Sequence, residues 1–399
     1  MPTLPSLALV DRPSLSRIGM LSTYPPKLCG LATFAAALST HLQFAGHDVT
    51  VVRVDDGDHR GEPMTAAMAP DRVPVAGVLS NGNSVSVRST AALLSLSDVA
   101  IIQHEYGIFG GPDGDEVLDL IDALEVPAIV VLHTVPSHPT PHQREVLEAI
   151  CSRAQQVVVM SRAAHDRLLD LYAVDARKVA DIPHGAALPR PEADPPLIGL
   201  PQPELLTWGL LGPGKGIEHV IDALALLSDL PVRPRYTVAG VTHPKVFARD
   251  GDQYRHSLLR RVWSNGIQGQ VIFDDTYRDV TQLTRFVASS RLVVLPYDSV
   301  DQVTSGVLVD AIAAGRPVIA TAFPHAEEML ASGAGIVVPH RDPVALAAAL
   351  RSVLTEPERL AAMTEEARRL APDLSWRAVA DRYSQLCACL VDGRQPVAS

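Results

Sequence analysis

Eleven short apolar runs, almost free of polar interruptions, punctuate this chain and alternate with longer helix-like segments. The first group is RIGMLST (17–23), HDVTVVRV (47–54), DVAIIQ (98–103), PAIVVLH (127–133) and QVVVMS (156–161). The second is ELLTWGLL (204–211), RYTVAG (235–240), QVIF (270–273), RLVVLP (291–296), RPVIAT (316–321) and GIVVP (335–339). A strand that is apolar on both faces has to be covered on both, and a parallel sheet flanked by helices does that. Between the groups lies ALPRPEADPPLIGLPQP (187–203), rich in proline and without period, as in a semi-rigid linker. At 399 residues the chain is too long for one core. The expected fold is α/β, two Rossmann-like doubly wound domains. The stretch 55–72 reads as a long loop, and helix-forming sequence runs from 342 onward.

Composition narrows the function classes. Hydrophobic residues make up 47% and charged residues 20%, as in a globular protein. A net charge of −11 argues against nucleic acid, which needs a basic surface, and leaves room for weak peripheral membrane contact at most. Cys29, Cys151, Cys387 and Cys389 form no CxxC pair, so neither a zinc site nor a disulfide framework is expected. The first 17 residues lack a signal-peptide pattern, and no window approaches the ~20 apolar residues of a membrane span. The expected location is cytoplasmic.

Open parallel sheets bind ligands beyond the C-terminal ends of their strands, so the residues after each run are the candidates. STYPPKLCGLATF (22–34) places Gly30 at a strand-to-helix turn, where backbone can approach a phosphate or sugar; a plain turn glycine is the alternative. HEYGIFGGPDG (104–114) brings His104, Glu105 and Tyr106 together in a glycine-rich loop. His133 ends the next strand and TVPSHPTPHQ follows it. Metal binding by His104, Glu105, His133, His138 and His142 is disfavoured, because the helical i,i+4 histidine pair of a zincin is missing. No essential metal is expected.

GPGKG (212–216) lacks the Ser or Thr of a magnesium-holding P-loop. What remains is a glycine turn with Gly212 and Gly214, one cation, Lys215, and a helix start. That suits a diphosphate held without a strongly bound metal, since lysine is otherwise unfavourable at the positive end of a helix. A solvated lysine is the bland alternative. In DQVTSGVLVDAIAAGRPVIATAFPHAEE (301–328), Thr304, Ser305, Gly306 and Val307 stand at an expected helix N-terminus, closed by Gly315 and Pro317. They form an anion site or an ordinary N-cap. Asp310 lies one turn further on and is placed to meet ribose hydroxyls.

With these residues in hand, the chain resembles the GT-B glycosyltransferases, specifically the large retaining family 4. The resemblance runs through YPPKLCGLATF, GHDVTVV, IPHGA (182–186), WGLLGPGKGIEHVIDAL and the block 296–339. AAGRPVIAT matches that family closely, Asp310 stands where its second Glu belongs, and Glu328 fits a later one. Three departures stand out. Gln302 occupies the first Glu position, Pro324–His325 replaces a Gly-Gly pair, and Leu210 sits where a diphosphate-binding Arg accompanies the lysine. A lysine does not replace the planar fork of an arginine; Arg316 and Arg341 are the candidates to compensate.

The resemblance implies two lobes facing across a cleft. Residues 1–186 form the acceptor-side domain, 187–203 the linker and 204–375 the nucleotide-sugar domain, with 376–399 a candidate to cross back to the first. It further implies transfer of a hexose, with retained configuration, from a nucleoside diphosphate sugar (GDP-mannose or a UDP-sugar) to a carbohydrate or lipid-linked acceptor. Lys215, His133 and Glu105 are then catalytic. Gly30, Gly212, Gly214, Gln302, Thr304, Ser305, Gly306, Val307 and Asp310 hold the donor, while His104, Tyr106, His325 and Glu328 contact substrate. The nucleotide sugar is a co-substrate, and no cofactor is expected. The rival readings are a sugar phosphorylase, a nucleotide-sugar epimerase and a non-catalytic nucleotide-sugar sensor. A dinucleotide oxidoreductase is disfavoured because no GxGxxG follows the first strand.

Overall fold

A computed structural model describes residues 15–27, 29–55, 73–190 and 204–393. The amino-terminal tail, nearly all of the 55–72 loop and linker residues 191–203 lie outside the described residues.

The first sheet holds β1 (Arg17–Ser22), β2 (Asp48–Asp55), β3 (Val75–Ser80), β4 (Val99–His104), β5 (Ala128–Leu132), β6 (Gln156–Val159) and β7 (Val179–Asp181). Its order is β3-β2-β1-β4-β5-β6-β7, and each neighbouring pair is parallel. Helices α1 (Gly30–Phe44), α2 (Ser84–Leu94), α3 (Glu116–Asp122), α4 (Pro141–Arg153) and α5 (Arg162–Leu171) are threaded between these strands.

The second sheet holds β8 (Leu205–Trp208), β9 (Tyr236–Ala239), β10 (Val271–Asp274), β11 (Leu292–Leu295), β12 (Val318–Thr321) and β13 (Gly335–Val338). Its order is β10-β9-β8-β11-β12-β13, again parallel throughout. The helices of this lobe are α6 (Ile217–Ala225), α7 (Pro244–Asp250), α8 (Gln253–Ser264), α9 (Val280–Ser289), α10 (Gly306–Ala313), α11 (Pro324–Leu330), α12 (Pro343–Thr355) and α13 (Pro357–Leu370). Each apolar run of the sequence matches one strand of these sheets, with β2, β4 and β10 ending one residue beyond their runs. Strands β4, β5, β6, β8, β9, β11 and β12 are buried along their whole length, which is why they lack alternation.

Two strands have no counterpart among the eleven runs. β3 and β7 are edge strands, mostly exposed or half-buried, so no continuous apolar run marks them.

The last helix, α14 (Trp376–Val391), leaves the second lobe and docks on α1 of the first. Trp376, Val379, Tyr383 and Cys387 join the core formed by Ile18, Phe34, Leu38 and Ile101. His47 locks this arrangement. Its Nδ1 accepts from the Ser16 N–H at 3.2 Å, and its Nε2 meets Ser384 Oγ at 2.8 Å. Among the described residues no helix is long and apolar enough to cross a membrane.

Strand order reverses between β1 and β4 in one lobe and between β8 and β11 in the other. Such switch points open a crevice at the carboxyl ends of the strands. The two crevices face one another, because loops following β6 and β11 touch. Ser161 Oγ donates to the Val303 carbonyl at 2.6 Å, and Arg167 pairs with Asp301 at 2.9 Å.

Candidate active site

The second lobe's wall is built by two loops stitched together. After β8 the chain turns through Gly212–Gly216, and the Asp298 N–H, after β11, donates to the Gly214 carbonyl at 2.9 Å. Gly216 caps α6 with φ +65°; any Cβ there would collide with the Pro296 carbonyl, so only glycine fits. Gly214, at φ +87°, faces open space. Lys215 points its ammonium over the Tyr297 ring, 4.6 Å from the centroid. It has no carboxylate partner among the described residues, and burial pulls its pKa below the usual lysine value.

Helix α10 begins at Gly306 with Ser305 as N-cap. The Ser305 hydroxyl accepts from the Leu308 N–H at 3.3 Å, and its own N–H donates to His325 Nδ1 at 2.9 Å. This corrects the expectation for both residues. Ser305 is the plain N-cap, its hydroxyl is spent inside the helix, and His325 is a buried support for that cap rather than a substrate contact. The N–H groups of Gly306 and Val307 begin the helix and take no partner among the described residues. The Thr304 hydroxyl beside them is buried and unpartnered, and Gln302 Nε2 donates to the Thr304 carbonyl at 3.1 Å. Asp310 sits one turn along with no hydrogen-bond partner for its carboxyl among the described residues, and burial pushes its pKa up to about 7. Gly315 closes the helix at φ +66°, as a residue just past a helix end does.

Neither candidate arginine replaces the missing one in the same way. Arg316 precedes β12, at the opposite end of the sheet, and donates to the carbonyls of Ser290 and Ala314. Arg341 follows β13 on the crevice side and contacts Asp298 at 3.3 Å, so it joins the stitched loops. Among the described residues, Glu218, His219 and Asp298 could group around a cation. One oxygen of each carboxylate is already engaged. His219 and Arg341 meet the same Asp298 oxygen, and the Tyr254 hydroxyl donates to Glu218 at 2.7 Å. A cavity of about 500 Å³ is lined by Val241, Pro244, Phe247, Asp252, Arg255 and Asp275, and it is tied to the start of the turn by the Leu211 N–H, which donates to the Val241 carbonyl at 2.8 Å.

The facing wall comes from β1, β4 and β5. The His133 N–H donates to the His104 carbonyl at 3.1 Å, extending the β4–β5 ladder into the crevice. His133 Nε2 lies 2.7 Å from Gln103 Oε1, and its ring meets Phe34 edge-on at 4.9 Å. Burial lowers its pKa to about 3, so the imidazole is neutral. The Glu105 carboxylate accepts from the Thr134 hydroxyl at 2.5 Å and from the Tyr106 N–H at 3.1 Å, and burial raises its pKa. Gly30 opens α1 with nothing near the position its Cβ would take.

His104 is a correction. It is fully enclosed and packed against Tyr106 and Phe109, with neither ring nitrogen partnered among the described residues, so it supports the loop instead of touching substrate. The Tyr106 hydroxyl is spent on the Gln143 carbonyl at 3.2 Å. Glu328 is corrected as well. Its carboxylate accepts from the N–H groups of Arg162 and Ala163, both at 2.9 Å, and so caps α5 of the other lobe.

Two residues escaped the sequence reading. Gln103 is a fully buried amide inside an apolar strand, which is itself a signal. His184, in the IPHGA segment, donates from Nδ1 to the Gly185 carbonyl at 2.7 Å, meets Phe34 edge-on and lies tilted against Trp376. Its Nε2 lies 2.9 Å from where a Cβ at Gly306 would stand, so it spans from the first lobe to the start of α10.

Comparison with known proteins agrees with this architecture. Residues 29–189 match the family described as Glycosyltransferase Family 4, and residues 192–370 match Glycosyl transferases group 1. The glycogen synthase of Mycobacterium tuberculosis strain H37Rv is 25% identical over 419 residues, covering 95% of this chain and 96% of that one. A D-inositol 3-phosphate glycosyltransferase of Kineococcus radiotolerans is 27% identical over 65% of each chain. Among solved structures, Anabaena HepE in complex with UDP superposes with a TM-score of 0.73 at 16% identity, covering 94% of this chain and all of that one. The sucrose-phosphate synthase of Thermosynechococcus elongatus gives a TM-score of 0.71 at 20% identity, over 94% and 99% of the two chains. The chain belongs to the GT-B glycosyltransferases of family 4, and it is a sugar-transferring enzyme.

Proposed function

We propose that this enzyme moves a hexose from a nucleoside diphosphate sugar to an acceptor hydroxyl with retention of the anomeric configuration. One observation carries the reading: an ammonium without a carboxylate partner among the described residues, Lys215, and the amides of Gly306 and Val307, open among those same residues, line adjoining loops at the β8/β11 switch point. Charge grows on the diphosphate as the sugar leaves, and donors already aimed at it lower the barrier. The departing phosphate takes the acceptor's proton, so no protein nucleophile is required. Asp310 would meet the ribose, and the 500 Å³ cavity bordered by Val241, whose carbonyl accepts from the Leu211 N–H, would take the base. His133 and Glu105 orient the sugar from the other wall. Arg341 is positioned to lend the guanidinium that Leu210 lacks.

A UDP-hexose is favoured over GDP-mannose as donor because HepE, of the same fold, is solved with UDP-glucose. The acceptor is a carbohydrate or a lipid-linked sugar. The test pairs thermal melts against UDP, GDP and their sugars with turnover of Lys215→Ala. A donor at 100 times its Kd stabilises the folded state by about 2.7 kcal/mol. The alanine variant should keep its fold and lose about 10²–10³ in kcat. Near-normal turnover would remove Lys215 from the chemistry.

Gln302 and Leu210, standing where the family places a Glu and an Arg, favour a second reading: a nucleotide-sugar sensor without catalysis. Such a protein melts higher with donor yet turns over none of the acceptors offered.

A further inference from the structure

The penultimate residue of strand β4 is a buried glutamine that the proposed chemistry does not yet use. Gln103 is fully buried, and its register partner on β5 is Val131. Along a strand, side chains alternate between faces, so Gln103 and Glu105 project to one side and His104 to the other. The hydrogen bonds follow that division. Gln103 reaches His133 and Glu105 reaches Thr134, the two residues that follow β5. The orientation of the amide is fixed at its far end, where Nε2 donates to Met20 Sδ at 3.5 Å. Turning the amide over would set its carbonyl oxygen against the sulfur, lone pair to lone pair. The oxygen therefore faces His133, and an oxygen accepts only from a protonated nitrogen.

We infer that Gln103 is a positioning residue for sugar transfer: it holds His133 in the tautomer with the proton on Nε2, leaving the Nδ1 lone pair to accept a hydrogen bond from a sugar hydroxyl. His133 Nδ1 has no protein partner among the described residues, and the residue stays partly exposed to the crevice. The groups that act electrostatically on the ring are His104 and His184, both held neutral by burial with pKa values of about 4. No charged side chain is needed to fix the tautomer; the amide does it through one short hydrogen bond. The functional half of this inference rests on the role given to His133 above, whereas the tautomer itself does not.

The test begins with the wild-type enzyme. Long-range nitrogen–proton NMR of protein labelled at histidine, with the His133 signal assigned by its loss in His133→Gln, reads the tautomer without any assay. The expected pattern is Nε2–H and bare Nδ1 from pH 6 to 8. Gln103→Leu keeps the volume but removes the acceptor; it should abolish the preference and lower kcat/KM by about 10-fold or more. Gln103→Glu retains an acceptor oxygen and should restore both. A proton on Nδ1 in the wild type would overturn the assignment outright. A tautomer that changes in Gln103→Leu with turnover unaltered would overturn the catalytic half and release His133 from the site. Glycosyl transfer would survive that outcome, because Lys215→Ala tests it separately.

Discussion

At the scale of single residues, Asp310 shows what burial does to a carboxyl that has no partner among the described residues. Its pKa of about 7 stands well above the ordinary carboxylate value. Below the unfolded value, near pH 4, both states are protonated and folding pays nothing for the group. As pH rises toward 7 the unfolded chain ionises first, so the folded state loses stability until its own carboxyl ionises. Asp310→Asn removes this cost. The variant should melt higher than wild type at pH 8, with the gap closing toward pH 5; identical melting curves at both values would mean that Asp310 is well solvated. Donor hydroxyls from a ribose would favour the anion. Nucleotide affinity should therefore rise with pH through 7 in the wild type and stay flat in the variant, as calorimetry at several pH values can measure. The sequence marked Asp310 through its spacing from Gly306, and Lys215 through its awkward place at a helix start. It could not mark His104 as interior, because which side a residue takes at a strand end depends on the pleat. Nor does the sequence show that Ser305 and His325 bond to one another, which is what turns His325 inward.

Elements tell a similar story. Seven of the eleven runs were legible because a strand buried on both faces has few polar positions to break the pattern. β3 and β7, covered on fewer sides, carry no such mark. Helix α14 reaches the first lobe through Trp376, whose ring lies 5.1 Å from Phe34 and 5.7 Å from His184. Gly185 is equally bound to this packing, since a Cβ there would run into the indole. Trp376→Ala opens a cavity in that junction and should cost ~3–5 kcal/mol, read from the urea midpoint. Because the indole also backs His184, the variant should bind nucleotide more weakly even where it is fully folded. An unchanged midpoint would mean that α14 is not docked in solution.

For the whole molecule, the contacts between lobes describe a latch. Glu328 in α11 receives the first two N–H groups of α5, so a carboxylate of one lobe neutralises a helix N-terminus of the other. Ser161 and Arg167, on the same stretch of the first lobe, bind the Val303 carbonyl and Asp301 on the segment leading to α10. Closing the crevice therefore positions α10, and with it the open amides of Gly306 and Val307. A shut crevice also excludes water, which would otherwise compete with the acceptor hydroxyl. Glu328→Gln removes the charge and leaves one oxygen to serve two N–H donors. Hydrogen bonds to charged groups are worth about 1.5–3 kcal/mol, and every 1.4 kcal/mol is about tenfold. The substitution should thus shift the lobes toward an open arrangement by about one to two orders of magnitude. Small-angle scattering of Glu328→Gln without ligand should give a larger radius of gyration than the wild type, and saturating donor should shrink it again. Turnover should fall through KM for the donor more than through kcat, since bound nucleotide supplies the closure that the glutamate no longer does. Equal radii in the two proteins, with KM unmoved, would reduce Glu328 to a surface cap with no hold on the gap between the lobes.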